Sequence, residues 1–274
     1  MERRDLLAGA FAAGVSLALA GAAFAQPPQE EHRVSARGYN LLIRVQRGSK
    51  PSLPTIVLES GGGFDSTQWA SLQPTLAADT GATVVSYDRP GYGQSELPAK
   101  PYDIADELAA FHEALETLGL AQRVLLVGHS YGGFLVQLYA NRWAPSVKGI
   151  LFLDPNTPTA MLAMSSEGRP APITDPKTPR QRANARADVG FEDALSTVYR
   201  SPLPLQIPVI VVSAETPPFA SPRLAKVFKL SHQLLAASVN DGKTVTAERS
   251  NHLIPAQRPD LVTACVQELL AKAG

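Results

Sequence analysis

Arg123-Val124-Leu125-Leu126-Val127-Gly128-His129-Ser130-Tyr131-Gly132, followed by Phe134-Leu135-Val136-Gln137-Leu138-Tyr139, sets an unbroken apolar run against a tight Gly-x-Ser-x-Gly turn and then a helical pattern. A run without polar alternation predicts a strand buried on both faces. The turn must be sharp, and a sharp turn leaves no room for side chains two residues either side of its centre. Between a buried strand and a helix, such a pentapeptide reads as an elbow that presents Ser130 as a nucleophile. Alone it is a weak signal, because glycine and serine at about 7% each produce it by chance in roughly one chain of this length in ten. Its setting carries the inference, against the plain alternative of a small residue in a turn.

Outward from this turn, short β-rich runs alternate with longer helical patterns. Residues 41–45, 55–59, 82–87, 149–153, 208–212 and 243–247 are predicted strands, the central ones continuously apolar. Residues 104–119 carry Leu108, Phe111, Leu115 and Leu118 at helical spacing and stop at Gly119. This alternation predicts an α/β fold, with a mostly parallel central sheet and helices on both faces. One stretch breaks the rhythm. From about 155 to 207 no strand is predicted, prolines recur, and 177–199 looks helical. A connection that long inside one domain is usually functional, so it is read as a short cap over the site, with a plain surface insertion as the alternative.

A serine nucleophile needs a base and a carboxylate, and around such an elbow the chain order is nucleophile, acid, histidine. Of five histidines, His232 and His252 follow Ser130. His232 falls in a helical stretch, where a solvated or hydrogen-bonded role is the default. His252 lies in Ser250-Asn251-His252, past the last predicted strand, where a base can hang over a nucleophile at the top of the sheet. His252 is therefore the predicted base. Two carboxylates compete for the acid: Asp154, which closes the run 149–153 in Phe152-Leu153-Asp154-Pro155, and Glu215, in Ser213-Ala214-Glu215-Thr216-Pro217. Asp154 is favoured and Glu215 is the alternative, although Asp-Pro also caps turns. Ser60-Gly61-Gly62-Gly63 after 55–59 offers a side-chain-free loop to a developing oxyanion. The predicted donors are the backbone N–H of Gly62, with Gly63 as the alternative, and that of Tyr131. One such donor is worth about 3 kcal/mol of barrier.

From about Arg33 onward the chain resembles the α/β-hydrolase superfamily, and within it the small-cap serine esterase and proline-iminopeptidase-like branch. The resemblance rests on Glu59-Ser60-Gly61-Gly62-Gly63, Tyr87-Asp88-Arg89-Pro90-Gly91-Tyr92-Gly93-Gln94-Ser95, the Ser130 elbow, and Asn251-His252-Leu253-Ile254-Pro255 with Arg258-Pro259-Asp260. It implies a serine hydrolase acting through an acyl-enzyme on a small molecule, with no metal and no cofactor, and it makes 88–95 a structural turn. These motifs are specific for fold and poorly specific for substrate. Two departures stand out: Ser60 where many members carry histidine, and no aspartate after the strand 208–212.

Other classes fit less well. Gly91-Tyr92-Gly93 lacks the third glycine of a dinucleotide fingerprint, and no Walker A lysine is present. A haloalkane dehalogenase would carry aspartate where Ser130 stands, and a non-catalytic binding protein would be expected to have lost Ser130 or His252. Among hydrolases, an aminopeptidase or amidase is the alternative to an esterase. The cap offers a substrate amine such carboxylates as Glu167, Asp175, Glu192 and Asp193, whereas Met161, Leu162 and Met164 supply an adaptable apolar lining. Hydrolysis of a carboxylic ester is expected.

With 25 basic and 25 acidic residues among 274, the chain has no charge imbalance that would attract nucleic acid. Cys265 stands alone, which rules out an intramolecular disulfide and cysteine-cluster metal sites, and its apolar neighbours predict a core position. Glu2-Arg3-Arg4-Asp5, an apolar run to Phe24, Ala23-Phe24-Ala25 and then Gln26-Pro27-Pro28 predict a bacterial secretory signal cut after Ala25, leaving a hydrolase domain over 26–274. Arg3-Arg4 before Leu6-Leu7 resembles a twin-arginine signal. The expectation is a periplasmic or secreted protein with no stable membrane insertion. A membrane anchor is the alternative, for which the run is marginal in length.

Overall fold

The apolar runs become the strands of one sheet. In a computed structural model that describes residues 28–166 and 174–273, these are β1 Glu30–Ala36, β2 Tyr39–Gln46, β3 Thr55–Glu59, β4 Val84–Tyr87, β5 Val124–His129, β6 Val147–Leu153, β7 Val209–Ala214 and β8 Gly242–Ala247. The proposed leader, residues 1–25, and Glu167 lie outside the described residues. The strand order is β1-β2-β4-β3-β5-β6-β7-β8. β1 and β2 pair antiparallel, as do β2 and β4, and every later pairing is parallel.

All seven predicted strands are present. β1 was not predicted, because its sequence EEHRVSA is polar and buries only Val34 and Ala36. Its partner supplies what its own pattern lacks. A tight hairpin at Arg37 and Gly38, both at positive φ (52° and 77°), folds it back on the apolar β2.

Helices α1 Leu72–Thr80, α2 Ile104–Thr117, α3 Gly132–Arg142, α4 Pro158–Ser166, α5 Pro179–Val189, α6 Phe191–Tyr199, α7 Pro222–Ala237, α8 Ile254–Gln257 and α9 Pro259–Lys272 surround the sheet. The pleat sorts the core into two layers. Val57, Val124 and Leu126 face Leu108 and Phe111 of α2 and Phe134 of α3. Ile56, Leu58, Leu125 and Val127 face Leu72 and Leu76 of α1 and Val262, Cys265 and Val266 of α9. Burying each of the larger side chains stabilises by about 1.5–3 kcal/mol. Asp103 caps α2 by accepting from the N–H groups of Ala105 and Asp106, and Gly119 at φ 71° ends that segment, as its sequence predicts.

The interruption between β6 and β7 folds as α4, α5 and α6. Its helices differ in what holds them. α6 buries Phe191, Ala194, Leu195 and Val198. α5 is polar nearly all round, with Ala183 its one buried residue, so polar contacts anchor it instead. Thr178 and Gln181 form a reciprocal capping box at its start. Arg186 ion-pairs with the buried Glu107 of α2 and donates to the carbonyls of Lys100 and Pro101 at 2.8 Å each. Among the described residues, no helix is long and apolar enough to cross a membrane.

Candidate active site

The turn after β5 is as tight as its glycines suggest. Ser130 sits at φ 53°, a left-handed conformation that is unfavourable for serine and common at functional elbows. A Cβ at Gly128 would lie 2.7 Å from the carbonyl oxygen of Gly132, and one at Gly132 would lie 2.4 Å from that of Glu59. Neither position admits a side chain while α3 starts where it does. The Ser130 N–H donates to Leu153 O at 3.1 Å, and the Ser130 carbonyl accepts from Gly133 and Asn156 at 2.9 and 2.8 Å. The strained residue is thus held by β6, by the loop that follows it and by the helix.

His252 Nε2 lies 2.9 Å from Ser130 Oγ, and His252 Nδ1 lies 2.7 Å from Asp154 Oδ2. With a carboxylate on Nδ1, the proton sits there and Nε2 is free to accept from the serine hydroxyl. Asp154 is 1% exposed and its second oxygen, Oδ1, accepts from Ala214 N–H at 2.9 Å, so both carboxylate oxygens are engaged. Its own backbone is left-handed as well, at φ 45°. Glu215 does not reach the imidazole: it is exposed and its Oε2 accepts from Arg249 N–H at 2.5 Å. The structure therefore brings Ser130, His252 and Asp154 together and leaves Glu215 in a neighbouring loop.

The glycine loop after β3 faces Tyr131. A Cβ on Gly62 would be 3.5 Å from Tyr131 Cβ, and among the described residues no hydrogen bond engages the N–H of either Gly62 or Tyr131. Gly61 N–H is occupied by Gln68 Oε1 at 3.0 Å, which removes it as a donor to a ligand. Gly63 turns at φ 74°, a conformation that favours glycine.

Four features of the site are not legible as motifs. Arg89, in the turn after β4, is 5% exposed and donates to the carbonyls of Ser60 and Gly61 at 2.5 and 2.6 Å. Its guanidinium lies over the rings of Tyr92 and Tyr131, 5.3 and 5.7 Å from their centroids. Through Arg89 the turn 88–95 supports the glycine loop, and Arg89 and Tyr92 also line the cavity at Ser130. His129 and Gln68 form the second feature, and the Tyr102–Tyr131 hydroxyl pair at 2.6 Å the third. His232 is the fourth. It is fully buried, donates from Nε2 to Pro155 O at 2.9 Å and accepts from Ser213 Oγ at 2.7 Å, a satisfied histidine beside Asp154. Each of these joins residues far apart in sequence, so only an isolated conspicuous residue type could have hinted at them.

A cavity of about 360 Å³ opens at Ser130 between the loops that follow the central strands and the insertion. Gly62, Arg89 and Tyr131 line it from the core, and Met161, Asn184 and Phe191 from α4, α5 and α6. Asn184 is held by Tyr92, whose hydroxyl donates to its Oδ1 at 2.9 Å. Asp188 is the one carboxylate among the described lining residues, while Glu192 and Asp193 are exposed elsewhere on α6. The described part of the insertion therefore forms a wall of the cavity, mixed in polarity and apolar at Met161, Met164 and Phe191.

Comparison with known proteins agrees with this architecture. A (lyso)-N-acylphosphatidylethanolamine lipase of Mus musculus is 32% identical over 117 residues, 41% of this chain and 33% of that one. A proline iminopeptidase of Thermoplasma volcanium is 30% identical over 123 residues, 44% of this chain and 41% of that one. The chain thus matches well under half the length of these curated relatives. Among solved structures, the haloalkane dehalogenase DatA of Agrobacterium tumefaciens C58 has a TM-score of 0.67 at 16% identity, covering 90% of this chain and 97% of that one, a likeness of fold. Residues 56–264 match the model of the alpha/beta hydrolase family, and the chain belongs to that family.

Proposed function

We propose that this chain is a serine hydrolase of carboxylic esters, with Ser130 as nucleophile, His252 as general base and Asp154 as its acid. The observation that carries the reading is the hydrogen-bonded line from Ser130 Oγ through both nitrogens of His252 to Asp154. In this mechanism Oγ attacks the ester carbonyl carbon as its proton passes to His252 Nε2. The oxyanion is held by the N–H groups of Gly62 and Tyr131, which hold no other partner among the described residues. His252 then returns the proton to the departing alcohol oxygen, leaving an acyl group on Ser130. A water molecule, deprotonated by the same imidazole, attacks that acyl group, and the proton passes back to Oγ.

Ester is preferred to an aminoacyl bond because a free substrate amine calls for buried acidic partners. Asp188 is exposed, and the rest of the insertion's described lining is apolar or amide. The cavity volume lies near the lower end of the 300–1,000 Å³ range common for ligand sites, which suits a small substrate. The sequence of residues 1–25 supports export from the cytoplasm as a cleaved leader, and protein recovered from the cell envelope is expected to begin at Gln26 rather than Met1.

A serine-directed phosphonate is expected to label the protein once, at Ser130, and Ser130→Ala should lose both labelling and turnover of an acetyl ester while remaining folded. Hydrolysis that persists in this variant would remove the mechanism. Faster turnover of aminoacyl anilides than of matched acyl esters would replace the ester assignment with the aminopeptidase one.

A further inference from the structure

His129 precedes the nucleophile and is fully buried. A side chain at that position could merely fill space, yet three hydrogen bonds define it. Gly61 N–H donates to Gln68 Oε1 at 3.0 Å, Gln68 Nε2 lies 3.0 Å from His129 Nδ1, and His129 Nε2 lies 2.8 Å from the carbonyl oxygen of His252. The first bond dictates the direction of the others. A backbone N–H can only donate, so the Gln68 oxygen faces Gly61 and its amide nitrogen faces the imidazole. Nδ1 must then accept, and the proton sits on Nε2, aimed at an oxygen that can only accept. Each of the three contacts pairs one donor with one acceptor when the ring is neutral. Burial, with the nearby His252, pushes its pKa down to about 4.

The shape agrees with the polarity. A Cβ on Gly61 would lie 2.8 Å from His129 Nδ1, so the first glycine of the loop makes room for the imidazole rather than for a ligand. Among the described residues, no other hydrogen bond reaches the His252 carbonyl. The two rings are 4.8 Å apart. A neutral His129 can therefore sit beside His252 when the latter becomes a cation, without like-charge repulsion.

We infer that Gln68 and His129 are positioning residues, a side-chain bridge that sets the base and the oxyanion-binding loop at a fixed separation around Ser130. The inference rests on the roles proposed above. Gly62 and His252 belong to different loops, about 190 residues apart, and the catalytic geometry requires their relative position to hold within a fraction of an ångström. The bridge joins the backbone of one to the backbone of the other through a residue adjacent to the nucleophile.

The test compares wild type, His129→Leu, Gln68→Met and His129→Gln. It reads kcat and KM for 4-nitrophenyl acetate and the rate of phosphonate labelling at Ser130. His129→Leu removes both bonds of the ring, whereas His129→Gln keeps a donor for His252 and an acceptor for Gln68. The expected result is a fall in kcat and labelling rate on the order of 10- to 100-fold in His129→Leu, with KM within about twofold. Gln68→Met is expected to lose several-fold, and His129→Gln to recover most of the activity. Unchanged kcat in His129→Leu, a loss carried by KM, or equal impairment of His129→Gln would each overturn the bridge. If His129→Leu fails to fold, the half-buried position 68 gives the same readout through Gln68→Met. Wild-type protein that resists labelling at Ser130 would remove the hydrolase proposal and the bridge with it. Normal wild-type labelling with unaltered variants would remove the bridge alone.

Discussion

The paired strands β6 and β7 are each followed by an acidic residue, and the two carboxylates have different fates. After β6 the chain turns at once into a left-handed residue, Asp154, whose short side chain is buried between two tethers, Ala214 N–H and the His252 imidazole. Both backbones stay paired with the next strand, Asp154 N–H donating to Val212 O at 2.7 Å and Glu215 N–H to Ala247 O at 3.2 Å, but the carboxylate after β7 is exposed and braces the turn at Arg249. β7 still contributes to the site, but through its backbone, since the N–H of its last residue orients the acid of β6. In the proposed mechanism a strand end supplies the acid by presenting a short, buried carboxylate with a second partner. The type of residue at the expected place in the chain is not enough.

Exchange of the two carboxylates for amides would break this comparison. Asp154→Asn is expected to lower kcat on a small activated ester by about four orders of magnitude with little change in KM, because the amide can present the wrong partner to Nδ1–H and cannot stabilise an imidazolium. A dead Glu215→Gln beside an active Asp154→Asn would instead move the acid to the end of β7.

A third strand end sharpens the point through stability rather than rate. Glu59 closes β3 and is 2% exposed, with Tyr87 donating to Oε1 at 3.0 Å and no partner among the described residues for Oε2. Burial raises its pKa to about 7, against the opposing influence of Arg89. A raised carboxyl pKa means that the folded state holds the proton more tightly than the unfolded one. Its stability is full below about pH 4.5 and falls as pH rises through about 7. Glu59→Gln keeps an acceptor for Tyr87 and removes the ionisable group. The variant should match wild type in thermal melts near pH 4 and exceed it near pH 8 by on the order of 3 kcal/mol. A variant less stable at both pH values would show that the carboxyl is needed for packing. The smallest effect is expected at β7, where Glu215→Gln should keep kcat within about threefold and lose only a weak exposed contact.

The sheet was legible because β3, β5, β6 and β7 carry short, unbroken apolar runs. β1 was not legible, since its order comes from the hairpin at Arg37–Gly38 and from β2, not from its own residues. α5 was legible only as helical, because its polar sequence lacks an apolar stripe and its anchors, Arg186 to Glu107 and Tyr92 to Asn184, lie about 80 to 90 residues apart. In the site, Ser130 and His252 follow from local context, a turn and a loop. The choice between Asp154 and Glu215 depends on backbone direction at two strand ends, and the Gln68–His129 contact spans 61 residues. Such pairings leave no local pattern to read.

Ser130 and Asp154 share one further property, a left-handed backbone at φ 53° and 45° in residues that are not glycine. Each such residue costs about 1 kcal/mol relative to glycine in the same conformation. Evolution towards robustness and evolution towards turnover would therefore pull against each other at the two ends of the proposed triad. A thermostability screen run without an activity filter is expected to return glycine at position 130 early. A lineage released from catalysis would lose its nucleophile by gaining stability, with the rest of the scaffold intact.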